Sequence, residues 1–188
     1  MKNVELYKEV HESNEFYGNG GALKFHLKFI QDLIEDTKPR TLLDYGCGKG
    51  SQYLEQNIHN LWGGLMPSLY DPAIPMFSEL PDEQFDGVIC VDVMEHIPED
   101  EINMALLDIF ERATRFVFLG ISTEPAKTIL PDGTNAHCTI KDTDWWQRKI
   151  FDINRGKLYT HLHTYGNYND YRIYYEDHYL EHLWLYNE

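Results

Sequence analysis

A short β-prone run, Thr41-Leu42-Leu43-Asp44, passes directly into Tyr45-Gly46-Cys47-Gly48-Lys49-Gly50. Three glycines in five residues let the backbone turn sharply and come close to a ligand, because glycine carries no Cβ. Around this loop the chain alternates two kinds of pattern. Leu23, Leu27, Ile30 and Ile34 recur at helical spacing until Pro39 stops them. A helix is predicted from about Ser51 to Asn60. Ser68-Leu69-Tyr70 reads as a second short strand ending at Asp71-Pro72, and Gly87–Val91 as a buried third. Ile102, Ala105, Leu106, Ile109, Phe110 and Ala113 trace the apolar stripe of a helix, and Arg115–Ile121 is the next strand. Short apolar strands alternating with amphipathic helices predict an α/β fold, a mostly parallel sheet with helices on both faces.

The chain has 188 residues, 43% of them hydrophobic, which is enough for one domain with a sizeable core. It divides into an N-terminal helical segment (1–36), a core (37–153) and aromatic-rich C-terminal strands (154–188). The net charge of −15 repels phosphate backbones and anionic lipid, which argues against a nucleic-acid partner. No leader is expected at Met1–Glu5, and the longest uncharged apolar run, Phe116–Thr123, is too short to span a bilayer. Three widely spaced cysteines without a C-x-x-C disfavour a disulfide framework and fit a reducing cytoplasm.

In open α/β sheets ligands sit beyond the carboxyl ends of the strands. Three of those ends carry polar or glycine-rich chemistry: Asp44–Gly50, Asp71-Pro72, and Val91-Asp92-Val93-Met94-Glu95-His96. The nineteen residues Glu124–Asp142 have little periodicity, and a loop of that length reads as a binding loop or lid. The strict dinucleotide fingerprint G-x-G-x-x-G fails, because Ser51 stands three residues beyond Gly48.

The D-x-G-x-G-x-G pattern of Asp44–Gly50 instead resembles the loop of the class I S-adenosylmethionine-dependent methyltransferases. Asp71, twenty-one residues past Gly50, matches that family's ribose-binding acid. Leu80-Pro81 with Phe85-Asp86-Gly87-Val88-Ile89 resembles its approach to the fourth strand, and Val93-Met94-Glu95-His96-Ile97 its "V-L-E-H-V" segment. The resemblance covers roughly residues 22–153. It implies a Rossmann-like, doubly wound sheet, S-adenosylmethionine as cofactor, and in-line methyl transfer to a small-molecule acceptor. Only Ala73–Glu79 separates Asp71-Pro72 from Leu80-Pro81, so the sheet is compressed between the family's second and fourth strands, and the adenine wall falls to Ser78, Glu79 and Leu80.

The resemblance further implies that Asp44, Tyr45, Gly46, Cys47, Gly48, Asp71, Pro72, Leu80, Val91 and Asp92 contact the cofactor. Cys47 is small filler, since nothing nearby in sequence activates it. Asp92 either orients an acceptor or caps the following turn. His96 is a candidate general base by its intrinsic pKa, with His137 and Asp92 beside it as catalytic candidates. Asn135, His137 and Trp145 are the substrate-side candidates, by their place in and after the long loop. No metal is expected: His161 and His163 share a strand face and His178 and His182 stand one helical turn apart, but no third ligand is fixed, so exposed or stacked imidazoles are the reading. Eight of the thirteen tyrosines lie between Tyr159 and Tyr186; they cover the sheet or enclose a cationic acceptor. Two other functions remain open: a non-catalytic cofactor-binding module and an NAD-dependent oxidoreductase.

Overall fold

The computed structural model describes residues 3–167, 169–175 and 178–182. A seven-stranded sheet organises them: β1 (Leu42–Tyr45), β2 (Ser68–Tyr70), β3 (Phe85–Val91), β4 (Ala113–Ser122), β5 (Tyr159–Tyr165), β6 (Asp170–Tyr175) and β7 (His178–His182), in the order β2-β1-β3-β4-β5-β6-β7. The first five run parallel, and β6 and β7 are added antiparallel. The expected α/β class with a mostly parallel sheet is what the chain adopts. β2 and β3 flank β1 on opposite sides, so the chain reverses direction across the sheet at β1 and β3.

The central strands are buried on both faces, and their period of two divides the core. Leu43, Val88, Cys90, Val117, Leu119 and Ile121 point to one side, where they meet Leu106 and Ile109 of α4 (Ile102–Arg112) and Trp146 and Ile150 of α5 (Thr143–Asn154). Leu42, Ile89, Phe116 and Phe118 point to the other and meet Ile30, Leu33 and Ile34 of α2 (Leu27–Thr37). Helices therefore cover both faces. No helix among the described residues is long and apolar enough to cross a membrane.

Two local features differ from the sequence expectation, the helix over 51–60 and the placing of His178 and His182, while the N-terminal segment and the compressed stretch after β2 take the forms given next. The predicted helix over 51–60 is the single turn α3 (Ser51–Leu54) followed by a 3-10 turn, Ile58–Trp62, because Asn57 takes a left-handed conformation (φ 52°) between them. Residues 4–13, whose apolar positions are diluted by charge, form the helix α1 (Val4–Ser13). Between β2 and β3 the described chain holds only a 3-10 turn, Pro75–Phe77; Asp71 N–H donates to the Phe77 carbonyl at 2.9 Å and folds the segment back, leaving β2 at the sheet edge. His178 and His182 lie on a strand rather than a helix.

His161 and His163 are neither exposed nor stacked: both are buried, and their rings meet neighbouring rings edge to face. Nδ1 of His26 and Nδ1 of His163 lie 2.9 Å apart, so one imidazole donates to the other. His161 Nδ1 meets the Tyr171 hydroxyl, and Phe29 stacks on Tyr171 at 4.4 Å. Tyr159 and Tyr171 thus pack with the buried imidazoles over the sheet. Tyr168 and the terminal Trp184 and Tyr186 lie outside the described residues.

Burial lowers His161 to about 4. Its folded pKa is depressed below the unfolded 6.5, so the neutral ring's contribution is complete above pH 6.5 and is lost as the pH falls towards 4. His161→Phe removes this titration. Denaturant unfolding at pH 7.5 and pH 5 is expected to show the variant losing less stability than the wild type, by roughly 2 kcal/mol. Equal losses would show that His161 is not held neutral.

Candidate functional site

A cavity of about 650 Å³ opens at the carboxyl ends of β1 and β3, where the strand order reverses. The glycine loop forms its floor. Gly46 and Cys47 donate their N–H groups to the Tyr70 carbonyl (2.7 and 3.0 Å), and Gly48 donates to Asp71 Oδ2 (2.9 Å). Lys49 N–H goes to the Gly18 carbonyl at 2.8 Å. Gly46 (φ 87°) and Gly48 (φ 57°) are both left-handed. A Cβ on Gly46 would stand 2.2 Å from Val93 Cγ2, and one on Gly48 would stand 2.2 Å from the Gly18 carbonyl oxygen. Only glycine allows this approach.

Two carboxylates flank the loop. Asp44 is buried and accepts from Gln52 Nε2 at 3.3 Å. Burial raises its pKa to about 7, a rise that Tyr53 and Gln52 moderate and Asp71 reinforces. Asp71 accepts Gly48 N–H with one oxygen and Ala73 N–H with the other (2.9 Å each). Its pKa is raised, chiefly by burial. Each oxygen keeps a further lone pair for a ligand hydroxyl.

Tyr45, Cys47, Pro72, Val91, Asp92, His96 and His137 also line the cavity. Burial pushes the Cys47 thiol far above its ordinary range, with Asp44 and Asp71 adding to the shift, so it stays protonated. Asp92 holds a left-handed backbone (φ 61°) at the end of β3, and its carboxylate accepts the Tyr165 hydroxyl. His96 is lowered to about 4, mainly by burial.

The long loop is stitched to the His96 segment. Tyr7 Oη lies 2.7 Å from the Ala136 carbonyl, to which it donates, and 3.1 Å from that of His96. Thr139 N–H donates to the Glu95 carbonyl at 3.0 Å, and Thr139 Oγ1 to that of Ile97 at 2.7 Å. This stitching sets the His137 ring 4.6 Å from the His96 ring, edge to face.

Five expected ligand residues are not brought to the cavity lining. Leu80 packs into the core beside α4, while Ser78 and Glu79 are exposed. Asn135 spends its side chain inside the loop: Oδ1 accepts the N–H groups of Ala126 (3.0 Å) and His137 (2.9 Å), and Nδ2 donates to the Ala126 carbonyl (2.8 Å). Trp145 lies on α5 against Trp146, with Lys141 and Lys149 over its ring. Ala73 and the N-terminal segment, through Tyr7, His11, Phe16 and Tyr17, form a wall of the cavity. Spacing of Val4, Tyr7 and His11 along one helical face was the available sequence signal for part of that wall, and Tyr165 could have been found as the carboxyl end of β5.

The lining fits a polar ligand with an apolar body. His11 Nδ1, Asn19 Oδ1 and Gln52 Oε1 are buried without hydrogen-bond partners, beside the aromatic rings of the N-terminal segment. No family model and no curated protein matches the chain.

Gly48→Ala is expected to push the Gly18 carbonyl off the loop. Limited proteolysis should then cut residues 14–21 at least about tenfold faster than in the wild type, with the sheet intact by circular dichroism. An unchanged cleavage rate would mean that the close contact does not hold that segment.

Proposed function

We propose that this chain is an S-adenosylmethionine-dependent methyltransferase acting on a small-molecule acceptor, built on a Rossmann-like, doubly wound sheet. The observation that carries the reading is the convergence on one cavity of the β1 glycine loop, the buried Asp44 beneath it, and the Asp71 carboxylate at the end of β2. When bound, the cofactor supplies an electrophilic sulfonium methyl group. On this reading Asp71 accepts the ribose hydroxyls with its remaining lone pairs. The backbone of Gly46 and Gly48 packs against the amino-acid arm, and Asp44 takes the amine. On the same reading the adenine wall falls to Ala73 and Tyr17, which line the cavity.

Methyl transfer from a sulfonium asks mainly for alignment and exclusion of water. α1 and the loop over 124–142 cover the cavity, which suits a small acceptor. Asp92, His96 and His137 border the acceptor side. Of the aromatic residues that line the cavity, Tyr45 is buried in the core, and Tyr7, Phe16, Tyr17, Phe25 and Tyr165 are the ones available to a cationic acceptor.

Calorimetric titration with S-adenosylhomocysteine tests the reading. The wild type is expected to bind with a dissociation constant on the order of micromolar, and Asp71→Asn to weaken it at least about tenfold. No heat with the wild type would overturn the proposal. Binding without turnover on a broad panel of oxygen, nitrogen and sulfur acceptors would favour a non-catalytic module instead.

A second expectation concerns Asp44. A cationic amine prefers the ionised carboxylate, and the free carboxyl titrates near 7, so affinity should rise between pH 6 and pH 8. Asp44→Asn should flatten that rise. A pH-independent wild-type affinity would remove Asp44 from the amine site.

A further inference from the structure

Asp92, His96 and His137 each place a ligating atom within 4.8 Å of the other two. They come from two separate parts of the chain, the end of β3 and the long loop after β4, and they line the cavity. The orientation of the two imidazoles carries the argument. His96 Nδ1 lies 3.0 Å from the Ala136 carbonyl oxygen, and His137 Nδ1 lies 2.6 Å from that of Glu124. A carbonyl can only accept, so in both rings the proton sits on Nδ1 and the lone pair on Nε2. An imidazole anchored through Nδ1–H to a carbonyl, with its other nitrogen free, is how proteins present a histidine to a metal ion.

Two further observations bear on the same place in the fold. Glu95 is wholly buried; its Oε1 accepts Ser122 N–H at 2.6 Å, while Oε2 has no hydrogen-bond partner. Asp92 itself is a non-glycine residue in a left-handed conformation, a cost tolerated where a side chain must be aimed.

We infer that Asp92, His96 and His137 form a binding site for one divalent first-row transition ion, open towards the cavity. Two imidazoles and one carboxylate suit zinc, cobalt, iron or manganese better than magnesium or calcium, which prefer all-oxygen shells. Three protein ligands leave positions for water or an oxygen of a bound substrate, the arrangement of reactive rather than purely structural sites. Ligand atoms around such an ion stand about 3.3 Å apart for bonds of about 2.0 Å, so the side chains close in slightly on binding. The site does not rest on the methyl-transfer reading, since metal binding is measured without any cofactor.

The test is titration of metal-free protein with Co2+, followed by visible absorption, then displacement by Zn2+. The wild type is expected to take up one Co2+ per chain and release it to one Zn2+. His137→Ala and Asp92→Asn should each weaken Co2+ at least about tenfold, with circular dichroism unchanged. His161→Phe, in the buried histidine cluster away from the site, should bind as the wild type does. His137 lies on a loop, so its variant decides the matter if Asp92→Asn fails to fold. No stoichiometric Co2+ uptake by the wild type, equal affinity in His137→Ala, or loss of binding in His161→Phe would overturn the inference.

Discussion

Four consecutive backbone N–H groups, from Gly46 to Lys49, are all spoken for outside their own loop, and the site depends on where they go. Two converge on the Tyr70 carbonyl, one on the Asp71 carboxylate, and one on the Gly18 carbonyl. A buried loop without such partners would be unstable, because each unpaired amide costs about a hydrogen bond. The end of β2 therefore does two things. It pairs with β1 as a strand, and it supplies the acceptors that fix the loop leaving β1. The N-terminal segment closes the arrangement from above, and its Gly18 carbonyl occupies the space a side chain at position 48 would need.

The same economy runs through the side of the cavity lined by His96 and His137. His137 reaches His96 because the loop's backbone is tied to the segment at 95–97 through Tyr7 and Thr139, and because Asn135 holds the loop's own shape. Residues that touch no ligand thereby set the distance between those that can. Asp92 is fixed in the same way, its backbone N–H donating to the Gly120 carbonyl at 2.9 Å and its carboxylate held by Tyr165.

Much of the fold was legible because its signals are local. The apolar runs at 87–91 and 115–121 are buried on both faces, and the stripe from Ile102 to Ala113 has a helical period, so β3, β4 and α4 announced themselves. The glycine loop and Asp71 were legible for the same reason. Less legible were features that depend on contacts distant in sequence. α1 hides its Val4, Tyr7 and Val10 among charges and packs into a small separate cluster with Leu130 and Ala136. Asn57 breaks the helix expected over 51–60 by its backbone conformation alone. Trp145 and Trp146 differ by one position, which on a helix puts one ring in the core and leaves the other half-buried outside the cavity. The meeting of His96 with His137 follows no spacing rule, and only the folded loop brings it about.

The short return between Asp71 and Phe85 has a consequence outside the site. It leaves a three-residue strand at the margin of the sheet, bounded by Pro67 on one side and Pro72 on the other. Proline offers no N–H, and so brief a strand presents few open backbone groups to a neighbouring molecule. The margin is thereby kept too short, and too interrupted, to template strand-to-strand association between copies.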